Sequence, residues 1–347
     1  MKTKFPAAHT AEGFRTYKEV SMKTDFTDKR IAVVGTGGVG GYLCAMLGKA
    51  LPHVSAVARG ARYESIVQNG LVLHSDLNGE IISRPETVVR SSADLNEQDY
   101  IIVAVKNYSL GDAIKELKSG HAVGAETVIV PVMNGVDCGN RLREAFPDNI
   151  IIDSVIYIVS MARSDFSIEQ QGNFADLRIG IRGDNSESAP DDASAALQEF
   201  SAILERADIR HKISKNVDVD IWRKYILNCA YNVATAAWDL PIGGLRSDPE
   251  KSADYASLAR EAWQVGLALG VPLEEAHLAS ILDKFEKYDD QATSSLQRDI
   301  HDGKTSEYET FSGFIVKEGA RLGIPTPVSS RYYQLILCRV KAKSDIN

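Results

Sequence analysis

Between residues 30 and about 180, short, mostly apolar runs alternate with longer stretches of helical periodicity. Ile31 to Val34, His53 to Ala58, Tyr100 to Val105 and Thr127 to Val132 are such runs, and Asn149 to Ser160 is a further one. A strand buried on both faces reads as a continuous apolar run, so the alternation predicts an α/β chain with a doubly wound parallel sheet. Residues 183–194 form a polar loop, after which a helix and a short strand near Ile209 close this part. Beyond about residue 214 the strand signals stop and helical periodicity takes over, with breaks at Gly270 to Pro272, Gly303 and Gly323 to Pro325. The expected division is a sheet domain over 29–214 and an all-helical domain over 215–347. Residues 1–28 are polar and lack the apolar core of a signal peptide. They are expected to be a disordered extension, with Met22 a candidate true start.

The first apolar run ends in Gly35-Thr36-Gly37-Gly38-Val39-Gly40, followed at once by the helical pattern from Tyr42 to Leu47. In a Gly-x-Gly-x-x-Gly turn between strand and helix, Gly35 permits the sharp turn. Gly37 lets the backbone approach a pyrophosphate, and Gly40 lets helix and strand pack closely. The helix start offers free N–H groups and a positive dipole end to phosphate. The sheet is therefore expected to be of Rossmann type and to bind a dinucleotide. After the second run stands Arg59, with Arg62 nearby, where an NAD site usually carries an acidic residue. An arginine fork suits a ribose 2′-phosphate, so NADP is the expected cofactor; the competing reading is a solvated basic loop. Lys106 and Asn134 follow the next two runs, and strand carboxyl ends are where ligands sit in open α/β sheets. A solvated lysine and a plain Asn-Gly turn explain them equally well.

On the helix that opens the second part, Lys224, Asn228 and Asn232 recur at every fourth position and share one face, while the remaining positions are strongly apolar. Two asparagines are poor choices for a solvated helical stripe. The set reads either as an exposed face or as hydrogen-bonding groups in a polar cleft. In a cleft, a desolvated Lys224 has a lowered pKa and can protonate a carbonyl oxygen as hydride arrives. Farther on, Ser306 and Glu309 have the spacing of a capping box. Glu307 is left over in the first turn, a charged acceptor favoured by the helix dipole.

Apolar content of 44% and charged content of 25% are ordinary for a globular protein. A net charge of −8 argues against nucleic acid and against an anionic membrane surface as partners. No stretch approaches the ~20 apolar residues of a membrane span. The four cysteines (Cys44, Cys138, Cys229, Cys338) lack metal-ligand spacing and read as buried hydrophobes in a reducing cytoplasm, with no metal site expected. Apolar helices in the second part are compatible with a homodimer face, but core and interface helices share the same periodicity.

Taken in order, several elements resemble the ketopantoate reductase family over about residues 30 to 330. They are the glycine turn at 35–40, Lys106, Val132 to Val136, Trp222 to Lys224 with Asn228 and Asn232, Thr293 to Leu296, and Ser306 to Glu309 with Gly313. The resemblance implies NADPH-dependent reduction of the 2-keto acid 2-dehydropantoate to pantoate, on the way to pantothenate and coenzyme A, in a cleft between the two domains. It implies that Lys224 is the general acid and that Glu307 contacts the substrate hydroxyl and nicotinamide ribose. Asn228, Asn232 and Ser295 would position substrate, and Asn134 and Lys106 would hold the cofactor. The chain departs from the family pattern at Met133, Ile242, Ser312 and around Tyr308, and a lost hydrogen-bond donor at Met133 or Ile242 is expected to reshape specificity. Two alternatives stand beside this: reduction of another 2-keto acid, and a non-catalytic NADP-binding redox sensor.

Overall fold

In the computed structural model, residues 26–182 and 191–344 are described. The first sheet has five parallel strands in the order β5-β2-β1-β6-β7: β1 Ile31–Val34, β2 Val54–Val57, β5 Thr87–Val89, β6 Gln98–Val103 and β7 Val123–Pro131. Every residue of β1 and β2 is buried, Ser55 included, as strands covered on both faces should be. β1 lies at the centre with β2 and β6 on either side, Val34 in register with Val57 and with Val103. Chain order reverses there, so the carboxyl ends of β1, β2 and β6 open onto a crevice suited to a ligand.

A second, mixed sheet overturns part of the expected topology. β3 (Leu71–Ser75) and β4 (Gly79–Ser83) form a hairpin, and β8 (Asp153–Ala162) and β9 (Ile168–Gly180) form another. β9 also pairs in parallel with β3 and with β10 (His211–Ile213). The predicted strand over 149–160 exists, but it enters the first sheet only as a single bridge from Ile151 to Ile129 and then joins this second sheet. The tight connection between β8 and β9, with Phe166 at φ 70°, leaves antiparallel pairing as the only local solution. Helix α1 (Gly38–Ala50) lies between the sheets and packs on strands of both, which explains why Gly40 through Leu47 are all buried. The other helices of this part are α2 (Gly60–Asn69), α3 (Leu110–Ser119), α4 (Cys138–Ala145) and α5 (Asp191–Arg206).

The polar loop expected over 183–194 lies outside the described residues as far as 190, and its last four positions are the start of α5. Of the expected extension, residues 1–25 also lie outside them, whereas Phe26 is buried in the sheet core.

Among the described residues, every element after β10 is helical: α6 Val217–Trp238, α7 Ile242–Arg246, α8 Pro249–Ala268, α9 Glu275–Lys287, α10 Ser295–His301, α11 Phe314–Leu322 and α12 Pro327–Ser344. The predicted breaks fall between helices, with Gly270, Gly303 and Gly323 at positive φ. Helix α6 is the central post. Asn216 caps its start by accepting from the Val219 N–H at 3.1 Å, and α8, α10 and α12 pack around it. Val136 and Val155 from the sheet part join its apolar cluster, so α6 is fixed against the crevice. None of the described helices is long and apolar enough to cross a membrane. The cysteines are all free; Cys44, Cys138 and Cys229 are buried as expected, whereas Cys338 is exposed on the terminal helix.

Candidate active site

A cleft of about 750 Å³ runs from the glycine turn to the polar face of α6. Gly35, Thr36, Gly37, Gly38, Val39, Arg59, Lys106, Asn134, Lys224, Asn228, Asn232, Ser295 and Glu307 all line it. Gly40 lies beneath, where a Cβ would meet the Gly35 carbonyl oxygen at 1.9 Å.

The turn is shaped for a phosphate-bearing ligand. Gly35 sits at φ 95°. A Cβ on Gly37 would meet nothing within 4 Å, so protein packing does not demand glycine there, and the open space lies at the start of α1. Thr36 is 2% exposed, and its hydroxyl has no hydrogen-bond partner among the described residues. A buried orphan hydroxyl beside bare helix-start N–H groups is what an oxygen-rich ligand would satisfy. At the rim, Arg59 is paired with Glu116 of α3, a carboxylate that also accepts from the Ser92 N–H. Arg62 donates to the Phe166 carbonyl at 3.2 Å, lies 5.5 Å from that ring centre, and has no carboxylate partner among the described residues. Of the two arginines, Arg62 therefore keeps its charge free of a carboxylate.

On the facing wall, the Lys224 ammonium donates to Asn134 Oδ1 at 3.1 Å. Desolvation lowers its pKa from 10.5 to about 8, and the nearby Glu307 charge opposes that shift. Asn134 reaches the other way, its amide donating to Glu307 Oε2 at 3.4 Å. Glu307 is only 4% exposed and also accepts from the Asn107 N–H at 3.0 Å and from Lys106 Nζ at 3.2 Å. Lys106 in turn holds Asp299 at 3.1 Å. Burial alone would depress the Lys106 pKa; the two carboxylates outweigh it and raise the value. Deeper along α6, Asn232 Nδ2 donates to Asn228 Oδ1 at 3.2 Å, and Asn232 Oδ1 accepts from Ser295 Oγ at 3.3 Å. The helical stripe is thus a cleft wall, and the exposed-face reading is set aside.

Two local expectations fail. Ser306 and Glu309 make no capping box: a π-helical turn spans Glu309–Gly313, and Glu309 accepts from the Tyr333 hydroxyl at 2.6 Å. Glu307 is held by the backbone N–H that opens the turn before α3, some 200 residues away in sequence, not by the start of its own helix. Ile242 and Ser312 are departures without a place in the cleft. Ile242 is fully buried in the helical core, and the Ser312 hydroxyl donates to the Tyr308 carbonyl at 3.2 Å. Met133 does line the cleft.

The pattern missed the contribution of β8 and β9, which bring Tyr157, Ser160 and Phe174 to the cleft; Ser160 donates to the Gly38 carbonyl at 2.9 Å. It also missed Asn107, Asp299, Tyr231, Tyr288 and Arg298. Asn107 could have been found from its place after a core strand, next to Lys106. The others come from positions whose only signal is three-dimensional.

Comparison with known proteins bears on the family and the fold. Residues 31–183 match the family model described as Ketopantoate reductase PanE/ApbA, and residues 216–339 match the model of its C-terminal part. An uncharacterised oxidoreductase, YkpB of Bacillus subtilis, is 28% identical over 88% of this chain and 96% of its own. A 2-dehydropantoate 2-reductase of Pyrobaculum aerophilum is 26% identical over 72% of this chain and 80% of its own. A crystal structure of a PanE/ApbA family ketopantoate reductase from Ralstonia eutropha superposes with a TM-score of 0.80 at 25% identity, covering 91% of this chain and 99% of that one.

Proposed function

The chain belongs to the ketopantoate reductase family, an oxidoreductase family acting on a CH–OH group, and from that premise we propose that it reduces 2-dehydropantoate to (R)-pantoate with NADPH. The proposed reaction takes place in the cleft between a cofactor domain over 29–214 and a catalytic domain over 215–347. The observation that carries the reading is the shared asparagine: one side chain, Asn134, ties a lysine with a lowered pKa to a buried carboxylate, beside a dinucleotide-type turn.

A bound nicotinamide supplies the hydride that reaches the keto carbon. The residues supply the rest. Lys224 gives its proton to the carbonyl oxygen, and a value of about 8 keeps it protonated at neutral pH yet willing to release. Asn134 fixes the ammonium by accepting a hydrogen bond from one of its N–H groups, leaving others for the substrate. Glu307, held by three donors, acts as a charged acceptor for the substrate hydroxyl or cofactor ribose. Asn228, Asn232 and Ser295 orient the rest of the substrate. The Gly35–Gly40 turn and Thr36 would hold the pyrophosphate, Lys106 and Asn134 the nicotinamide ribose side, and Arg59 with Arg62 the 2′-phosphate.

A second reading keeps the chemistry and changes the substrate to a bulkier 2-keto acid. It is favoured by the apolar and aromatic lining of Met133, Tyr157, Phe174, Tyr231 and Tyr288. Initial rates of NADPH and NADH oxidation with 2-dehydropantoate and a panel of other 2-keto acids test both. The expected result is preference for NADPH and for 2-dehydropantoate. Faster turnover of a larger keto acid moves the substrate, and tight NADPH binding with no turnover on any of them supports the sensor reading instead.

A further inference from the structure

A 2-keto acid brings a carboxylate into the cleft, and a buried anion needs a cation with free donors. The cationic side chains lining the cleft are Arg59, Arg62, Lys106, Lys224 and Arg298. Arg59 and Arg62 lie beyond β2, at the rim by the glycine turn. Lys106 is committed to Glu307 and Asp299. Lys224 is committed to the proton. Resting on the proposed 2-keto acid reduction, we infer that Arg298 grips the substrate carboxylate and makes the enzyme select acids over neutral ketones.

Arg298 lies on α10, one turn after Ser295 and thus on the same side of that helix. Ser295 reaches Asn232, and Asn232 reaches Asn228, one turn from Lys224, so the arginine and the lysine belong to the same polar lining of the cleft. Its fork is already aimed: Nη1 donates to the Thr293 carbonyl at 3.0 Å and to the Thr293 hydroxyl at 3.1 Å. Thr293 is itself pinned, since its carbonyl accepts from the Tyr231 hydroxyl at 3.2 Å. The remaining N–H groups carry no partner among the described residues, and Arg298 makes no ion pair there. Asp302, one turn on, feels its charge, but that carboxylate accepts from Lys304 at 2.8 Å. Twelve other arginines of the sheet and helical parts, among them Arg143, Arg178, Arg182 and Arg331, do have carboxylates. A pre-aimed, unpaired guanidinium facing a substrate cleft is suited to two parallel bonds with a carboxylate.

The test compares wild type, Arg298→Gln and Arg298→Lys on the 2-keto acid that wild type turns over fastest and on its neutral methyl ester. Arg298→Gln is expected to lower kcat/KM for the acid by about 10- to 100-fold, mainly through KM, and to leave the ester within about twofold. Arg298→Lys should recover part of the loss. Equal losses on acid and ester would show that Arg298 only braces Thr293, and no loss on either would remove it from the site; each result overturns the inference. Failure of the reductase reading is seen separately, as wild type that reduces no 2-keto acid. Calorimetry of the enzyme–NADP complex with oxamate and neutral oxamide then decides: oxamate binding weakened at least tenfold by Arg298→Gln, with oxamide unchanged, supports the carboxylate grip. Equal affinity of wild type for both compounds, or an unchanged preference in the variant, contradicts it.

Discussion

One wall of the cleft is built around exposed backbone, and the other around a connected set of polar side chains. Along the Gly35–Gly40 turn the surface is backbone: an open space at Gly37, bare N–H groups at the start of α1, and one orphan hydroxyl on Thr36. Across the gap, Lys224, Asn134, Glu307, Lys106 and Asp299 form a connected set in which most polar atoms already have partners. The first wall accepts a ligand by leaving groups unsatisfied. The second positions chemistry by satisfying them, because a catalytic group must be held before substrate arrives. Substitutions on the two walls should therefore fail differently.

The largest expected effect is on the satisfied wall. Lys224→Met removes the proposed proton donor and should lower kcat by about 10²- to 10⁴-fold while NADPH affinity, measured by fluorescence titration, changes less than about threefold. The fold should survive. Burial lowers the Lys224 pKa, so the folded protein holds its charged form at a cost that is full below about pH 8 and disappears as pH rises toward 10.5. Thermal unfolding near pH 7 should show the variant no less stable than wild type. Loss of cofactor binding along with turnover would blur the contrast between the walls.

On the open wall the effect is smaller and falls on the cofactor. Arg62→Ala should weaken NADPH by about tenfold and NADH hardly at all, and Arg59→Ala should do less, because the charge of Arg59 is already paired with Glu116. A larger loss for Arg59 would show that its carboxylate partner gives way when phosphate binds. Smallest for specificity is Ile242→Asn. Ile242 is fully buried in the helical core, so the change should lower the unfolding midpoint and leave the ratio of kcat/KM values across keto acids unaltered. A changed ratio would bring this position back into substrate recognition.

The same contrast explains what the sequence could and could not disclose. Backbone-built sites need particular residues at fixed spacing, so Gly35, Gly37 and Gly40 between a strand and a helix announced their wall directly. The lysine and asparagines of α6 were legible because one helix carries them at every fourth position. Glu307 was singled out, yet its anchor was misjudged, because the Asn107 N–H that holds it is far away in sequence. Arg298, Tyr157 and Phe174 carried no signal of their own; only the packing of α10 and the β8–β9 hairpin brings them to the cleft. That hairpin also marks where the parallel-sheet reading ended, since an apolar run looks the same whichever sheet it joins.

The most direct test of the account is the pH dependence of kcat/KM for keto acid reduction at saturating NADPH. With Lys224 as the proposed acid, only its protonated form supplies the proton, so the rate should hold steady through neutral pH and fall tenfold per unit once pH passes a single ionisation at about 8. A profile that stays flat from pH 7 to pH 10.5 would contradict the assignment of Lys224 as the acid, and with it the reading of the satisfied wall as the catalytic one.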